Sequence, residues 1–370
     1  MRQRIRRHTA FWAAVFAALS SPVWAQSSVS LTGTVDLALR EVKNGSLGSI
    51  RSQVSGSNLT SKLVFSGTED LGGGLSAGFF LDATLLPDTG NASGLSWDRR
   101  ATVSLASRSL GELRLGRDWV PTHLVWSSFD PFTTLGIASA NSFRSVTASR
   151  ALGQAFGTTA AANVQNPTLR VNNAVEFFLP SGLGGVFGAV MLSAGEGGSA
   201  GAGATQGRGG QLGWRNAQAQ VAVASYRTAN ANGEQAFTDT VIGASYTVAG
   251  WRGSVAQRRW SYGADRTTNT LLGLQGPLGT GQLRLSWLKA DQQGATAAAS
   301  AADAQLLGAG YVHPLSRRTA LYAHVARLKN EGAAIFTVPG GPAVSASATA
   351  ANFFGGQTSR ACEFGVRHHF

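Results

Sequence analysis

The sequence predicts an all-β protein, a 16-stranded antiparallel transmembrane β-barrel. Three observations carry that expectation. Apolar and polar residues alternate with period two in many short segments. Short turns and long loops alternate along the chain. The chain opens like a secreted protein, yet no later stretch approaches the roughly 18 apolar residues of a membrane helix.

Arg2, Arg4, Arg6 and Arg7 form a basic start, and an apolar run follows from Ala10 to Leu19. Ser20, Ser21 and Pro22 lead to the ending Val23-Trp24-Ala25. That order is a secretory signal peptide. The apolar run is about 10 residues, against about 20 for a spanning helix. Cleavage is expected after Ala25, making 1–25 the signal peptide and 26–370 the barrel.

Removing the four signal arginines lowers the net charge from +12 to +8. No Lys/Arg-rich run remains, which argues against nucleic acid. The single cysteine, Cys362, allows no internal disulfide. Cys/His metal spacing is absent, so neither metal nor cofactor is expected. The chain has 47 glycines, 14% charged residues and a mean hydropathy of +0.00. A secreted chain of this kind spans a membrane as a barrel, whose lipid-facing and water-facing residues cancel on average.

In the segment Val29 to Leu39 the odd positions are apolar or glycine, and Ser30, Thr32, Thr34 and Asp36 take the other face. The pattern recurs at Leu75–Asp82, Arg100–Leu105, Glu112–Leu115, Val175–Leu179, Gln218–Val223, Leu283–Trp287, Leu321–Val325 and Glu363–Phe370. Tight turns fall at Glu69–Gly74, Ser107–Gly111, Pro180–Gly185, Arg215–Asn216, Ala249–Gly250, Pro277–Gly281 and Pro314–Arg318. Longer connections fall at Glu41–Ser57, Leu86–Trp97, Val120–Val171, Ala194–Gly209, Arg227–Gln235, Ser261–Arg266, Lys289–Ala302 and Asn330–Ser359. Seven turns and eight loops join 16 strands, and an even count puts both chain ends on one side. A secreted soluble β-sandwich binding protein would also alternate. It accounts poorly for the short/long asymmetry and for polar faces with no second apolar set. Trp97, Trp119, Trp214, Trp251, Trp260, Trp287, Tyr246, Tyr311 and Phe370 lie near strand ends, where interfacial girdles need them.

Several segments resemble the general diffusion porins of Gram-negative outer membranes, of the β-proteobacterial type. They are Ser27–Asp36, Ser61–Leu75 with its run Gly67-Thr68-Glu69-Asp70-Leu71-Gly72, Asp98–Ala101, Leu113–Arg117, Asp130–Phe132, Arg170–Val175 and Phe364–Phe370. The resemblance implies an outer-membrane homotrimer that passes ions and small hydrophilic solutes by passive diffusion. It implies a third loop, here about 120–171, folded into the lumen as a constriction. It also implies contact with outer-membrane lipid and lipopolysaccharide. Phe364, Val366 and Phe370 would be the terminal signal read by the barrel-assembly machinery.

The loop carries Asp130, Arg144, Arg150 and Arg170, with His123 at its start, so it is not strongly acidic. By strand parity Lys62, Arg100 and Arg114 point into the lumen, while Arg99 and Arg117 have lipid-side parity near strand ends. Arg99-Arg100 and Arg117-Asp118 depart from the family pattern and change charge beside the expected pore. Rings of arginine and lysine favour anions, so weak anion selectivity is expected. An alternative pairs these arginines with Asp36, Asp82 and Glu112 as solvated wall residues. A substrate-specific channel is the alternative function. No enzyme is expected: none of the six histidines sits in a hydrolase or metalloprotease motif, parity puts His313 on the lipid face, and no acid stands beside His324.

Overall fold

The computed structural model describes residues 27–90, 96–157, 167–195, 206–229 and 235–370. The expected signal peptide lies outside the described residues. The strands are β1 (Ser28–Asn44), β2 (Ser49–Ser55), β3 (Lys62–Gly72), β4 (Leu75–Thr84), β5 (Arg100–Ser107) and β6 (Gly111–Trp119). After a long connection come β7 (Arg170–Phe178), β8 (Val186–Ser193), β9 (Gly207–Arg215), β10 (Ala219–Ala229), β11 (Ala236–Val248) and β12 (Trp251–Tyr262). The last five are β13 (Asp265–Leu278), β14 (Gly281–Gln293), β15 (Ala304–Pro314), β16 (Thr319–Asn330) and β17 (Thr358–His369).

Every strand pairs antiparallel with its neighbours, and β17 pairs with β1 from Thr34↔His369 to Asn44↔Ser359, which closes the sheet. Closure leaves no edge to aggregate. Seventeen segments make sixteen barrel positions, because β3 pairs with Ser28–Thr34 of β1 and β2 with Leu37–Lys43 of the same strand. Buried Asp36 shapes the break between β2 and β3. Its carboxylate accepts the backbone N–H groups of Ser57 (3.1 Å), Asn58 (3.1 Å) and Leu59 (2.8 Å), and the Tyr322 hydroxyl.

The alternation reads out as two faces. Val29, Leu31, Leu39, Val103, Leu105, Val221, Val223, Phe364 and Val366 are exposed on the outside. A water-soluble protein would not tolerate so broad an apolar surface, whereas a barrel presents it to lipid. The inner face differs from expectation on one side. Ala222, Ala224, Val241, Ala256, Leu271, Leu288, Leu306 and Leu328 are buried there as a second apolar set. They hide in doublets such as Leu271-Leu272 and Leu306-Leu307, which place one residue on each face.

All seven tight turns fall where expected. The Ser261–Arg266 connection is also tight, since β12 runs to Tyr262 and β13 starts at Asp265. Gly263 there has φ 57°, which glycine adopts without strain. Trp119 and Trp260 are not girdle residues: Trp260 is buried in an inner cluster, and Trp119 faces the cavity described below.

At the seam, Gly33 and Phe370 exchange two backbone hydrogen bonds of 3.1 Å. A Cβ on Gly33 would run into the Phe370 ring and the Lys62 carbonyl. Gly33→Val should therefore weaken closure by about 1–3 kcal/mol, the usual cost of overpacking. On a semi-native gel, the folded band should disappear at a lower temperature than in the parent.

Candidate ion passage

The connection between β6 and β7 runs over 120–169 and contains α1 (Pro121–Phe129) and α2 (Arg150–Phe156). Pro121 suits the first turn of α1, where its missing N–H has no helical partner anyway. Asp130 ends α1. Its buried carboxylate accepts the N–H groups of Phe132 (2.9 Å), Thr134 (3.1 Å) and Ala140 (3.0 Å). Those bonds hold Thr133 and Thr134 at φ 50° and 61°, a region non-glycine residues rarely enter.

Polar anchors tie this connection to β11–β14. The Thr122 hydroxyl donates to Asp239 (2.6 Å), and Arg258 grips the same carboxylate through Nε (3.0 Å) and Nη2 (2.6 Å). Arg258 also donates to the Thr168 carbonyl (2.7 Å). Arg252, Ser254 and Ser286 donate to the carbonyls of Ser128, Phe129 and Ala138 at 2.7–2.8 Å. Arg150 pairs with Asp265 (2.9 Å). Val125, Trp126, Phe129, Phe132, Ile137 and Phe143 pack into the cluster that holds the inner apolar set. At Gly136, with φ 69°, a Cβ would strike the Ser57 carbonyl, so the chain docks tightly on the β2–β3 break.

A cavity of about 850 Å³ opens between this connection and the β1, β3–β7 wall. Lys62, Phe80, Arg99, Trp119 and Arg170 line it from the wall; His123, Ser127, Thr134, Asn141 and Arg144 line it from the connection. No Asp or Glu is among its lining residues. The Arg170 guanidinium sits 3.5 Å from the Trp119 ring centre, and Arg99 sits 5.6 Å from it. Trp119 stacks in turn on His123, with centroids 4.6 Å apart. This ring platform holds two like charges near one another by cation–π attraction. Arg99 pairs with Asp82 (3.1 Å), and Arg144 donates to Asn141 Oδ1 (3.0 Å). Lys62, Arg144 and Arg170 have no carboxylate at ion-pair distance among the described residues. Burial, and then Arg258, Arg144, Arg170 and Arg99, hold the His123 imidazole well below its usual range, so it is neutral and adds no charge.

Of the residues singled out from sequence, Lys62, Arg99 and Arg144 line this cavity. Arg99 does so against its lipid-side parity, because it precedes β5 and turns onto Asp82. Arg100 donates to Thr102 (2.9 Å), lies 4.3 Å from the Phe80 ring centre and pairs with buried Asp118 at 3.5 Å. Arg114 is held by Glu112 (3.0 Å) and Asp118 (2.7 Å). Arg117 bonds to the Asp98 carbonyl and Asn172. Asp130 shapes a turn and Arg150 fastens a helix, as above. The paired-wall alternative therefore describes Arg99 with Asp82 and Arg114 with Glu112. Arg170 and Trp119 also line the cavity, although the sequence marks Arg170 only as a loop charge and Trp119 only as a strand-end aromatic. Phe364, Val366 and Phe370 lie exposed at the end of the chain. An acid does stand beside His324: Glu363 Oε1 is 2.8 Å from Nδ1, and Arg40 clamps the same carboxylate at 2.7 Å. This buried group joins β1, β16 and β17 as a structural tie.

A closed barrel with an apolar outer face and a cation-lined internal cavity defines a transmembrane channel protein. A family model described as Gram-negative porin matches residues 12–333, and the chain belongs to that family. It is 35% identical over 368 residues to outer membrane porin protein 32 of Delftia acidovorans, covering 96% of this chain and 98% of the relative. It superimposes with a TM-score of 0.77 on the anion-selective porin from Comamonas acidovorans, at 32% identity, covering 93% of this chain and all of that one. OmpT of Vibrio cholerae, solved in a trimer form, shares the fold at 10% identity and a TM-score of 0.61, covering 93% of this chain and 99% of that one. The chain is an outer-membrane porin, a channel rather than an enzyme.

Proposed function

We propose that the barrel is an anion-preferring diffusion pore whose narrowest part lies between the 120–169 connection, held in the lumen, and the β3–β7 wall. The observation that carries this reading is the cavity lining, where Lys62, Arg144 and Arg170 stand with no Asp or Glu among the lining residues. A charge in a narrow passage with low-dielectric walls is screened less than on an open surface, so it biases which ion enters. The similarity to an anion-selective porin supports the sign. The working molecule is proposed to be a homotrimer of chains starting at Gln26, after loss of residues 1–25. Lipopolysaccharide and outer-membrane lipid would meet its outer face, and the assembly machinery would read Phe364, Val366 and Phe370 on the last strand.

Two results should follow in planar bilayers. Raising salt shortens the screening length from about 10 Å at 0.1 M to about 3 Å at 1 M. The anion-to-cation permeability ratio should fall over that range, and a constant ratio would mean selection by size instead. Arg100→Gln should change the ratio by less than about twofold, because Asp118 already offsets Arg100 outside the cavity lining. A larger change would place Arg100 in the permeation path.

A further inference from the structure

Behind the passage, between α1 and the β12–β13 ladder, lies a small hollow that permeation does not account for. His123 of α1, Asn141 and Arg144 of the turn that follows, and Arg258, Trp260 and Asn269 of the wall line it. The last three do not line the passage. Its free space of about 10 Å³ is room for one water-sized sphere. Arg258 and Trp260 share the inward parity of β12, and Asn269 is the direct ladder partner of Arg258. The strand register therefore places all three side by side.

Several polar atoms here are not satisfied by the protein. Trp260 Nε1, Asn269 Nδ2 and Oδ1, and His123 Nδ1 are buried with no hydrogen-bond partner among the described residues. The three residues are only 2%, 1% and 5% exposed. An indole N–H can only donate, and an amide NH2 donates twice. Buried donors left unpaired are costly, so such groups normally hold a water or an ion.

Charge decides between the two. No Asp or Glu lines the hollow. Arg258 is neutralised by Asp239 at 2.6 Å. Arg144 donates to Asn141 and has no Asp or Glu at ion-pair distance among the described residues. Burial, and then the Arg258 charge, lower its guanidinium to about 10, so it stays cationic at neutral pH. An unneutralised cation beside an indole donor and an amide donor suits an anion better than a water, which brings no charge.

We propose that this hollow binds one chloride-sized monovalent anion, held by the Trp260 indole N–H and the Asn269 amide and neutralising Arg144. The ion would fasten α1 and the turn at Asn141–Arg144 to the barrel wall. It is a fixed structural ion, not one in transit, and the inference holds whichever ion the pore passes in preference.

Anomalous scattering from crystals of the detergent-solubilised native oligomer grown in sodium bromide tests it. A bromide peak is expected within hydrogen-bond reach of Trp260 Nε1 and Asn269 Nδ2. In solution, chloride should raise the temperature at which the folded band is lost, relative to gluconate at equal ionic strength, because gluconate is too large to enter. Asn269→Leu keeps the side-chain volume and removes the amide. It should abolish the peak and raise the chloride concentration for half of the thermal shift at least about tenfold, the scale of one hydrogen bond to a charged group. Trp260→Phe should act in the same direction and serves if Asn269→Leu does not fold. Bromide found in the passage but not in the hollow of the parent would overturn the proposal, whichever variants fold. So would a peak of parental height in either variant, or equal thermal stability of the parent in chloride and gluconate.

Discussion

Arg144→Glu combined with Arg170→Glu should convert the pore from anion-preferring to cation-preferring. The cavity lining has three cations with no Asp or Glu at ion-pair distance among the described residues, Lys62, Arg144 and Arg170. The double substitution takes those three positions from +3 to −1. In a water-filled passage with an effective dielectric constant of about 80, a charge about 5 Å from the ion contributes roughly 0.8 kcal/mol. Four units of change should therefore shift the anion-to-cation ratio by at least about tenfold. The reversal potential in a salt gradient should change sign. Arg170→Glu also removes a cation from the Trp119 ring, so folded-band stability on a gel must accompany the reading. An unchanged sign in a folded double variant would remove these residues from the constriction.

The second large effect concerns the fastening of the long connection. Asp239 and Arg258 have side chains about 1% and 2% exposed, and their pair meets Thr122 at the start of α1. Asp239→Ala would strand a buried guanidinium, which typically costs about 3–5 kcal/mol. It would also free α1 from β11, so the passage should widen. We expect a lower unfolding temperature, higher single-channel conductance and noisier open-channel current. Asp239→Leu with Arg258→Met should recover much of the stability, because apolar side chains of similar size often replace a buried pair without loss. Current noise should remain in that variant, since the Thr122 hydroxyl would still lack the Asp239 carboxylate that holds the start of α1.

The barrel was legible because lipid and water impose a period-two pattern that survives in sequence. The 16 positions follow from turn and loop spacing even though Ser261–Arg266 is tight and Glu41–Ser57 is largely taken up by the β1–β2 hairpin. The inner apolar set escaped notice because Leu271-Leu272 and Leu306-Leu307 satisfy both faces at once, which reads as a break in alternation. Arg99 escaped for a different reason. Parity fails once the backbone leaves the strand, and Asp82 then decides where the side chain goes. His324 and Glu363 are direct partners in the β16–β17 ladder. They lie 39 residues apart, and only the register brings them together. Asp130 reads in the sequence as a charge of the constriction loop, whereas its carboxylate is taken up by backbone N–H groups. An aspartate whose neighbours offer free N–H groups two and four residues on folds the chain around itself before it meets solvent. Arg170 depended on the position of Trp119, which no local pattern encodes.

The reversal potential of the purified protein in a planar bilayer, across a dilute KCl gradient, tests the central claim most directly. An anion-preferring sign that weakens as both sides are raised toward molar salt is the predicted result. A cation-preferring sign would contradict the assignment of the cation-lined cavity as the selecting passage, and no conductance at all would contradict the pore itself.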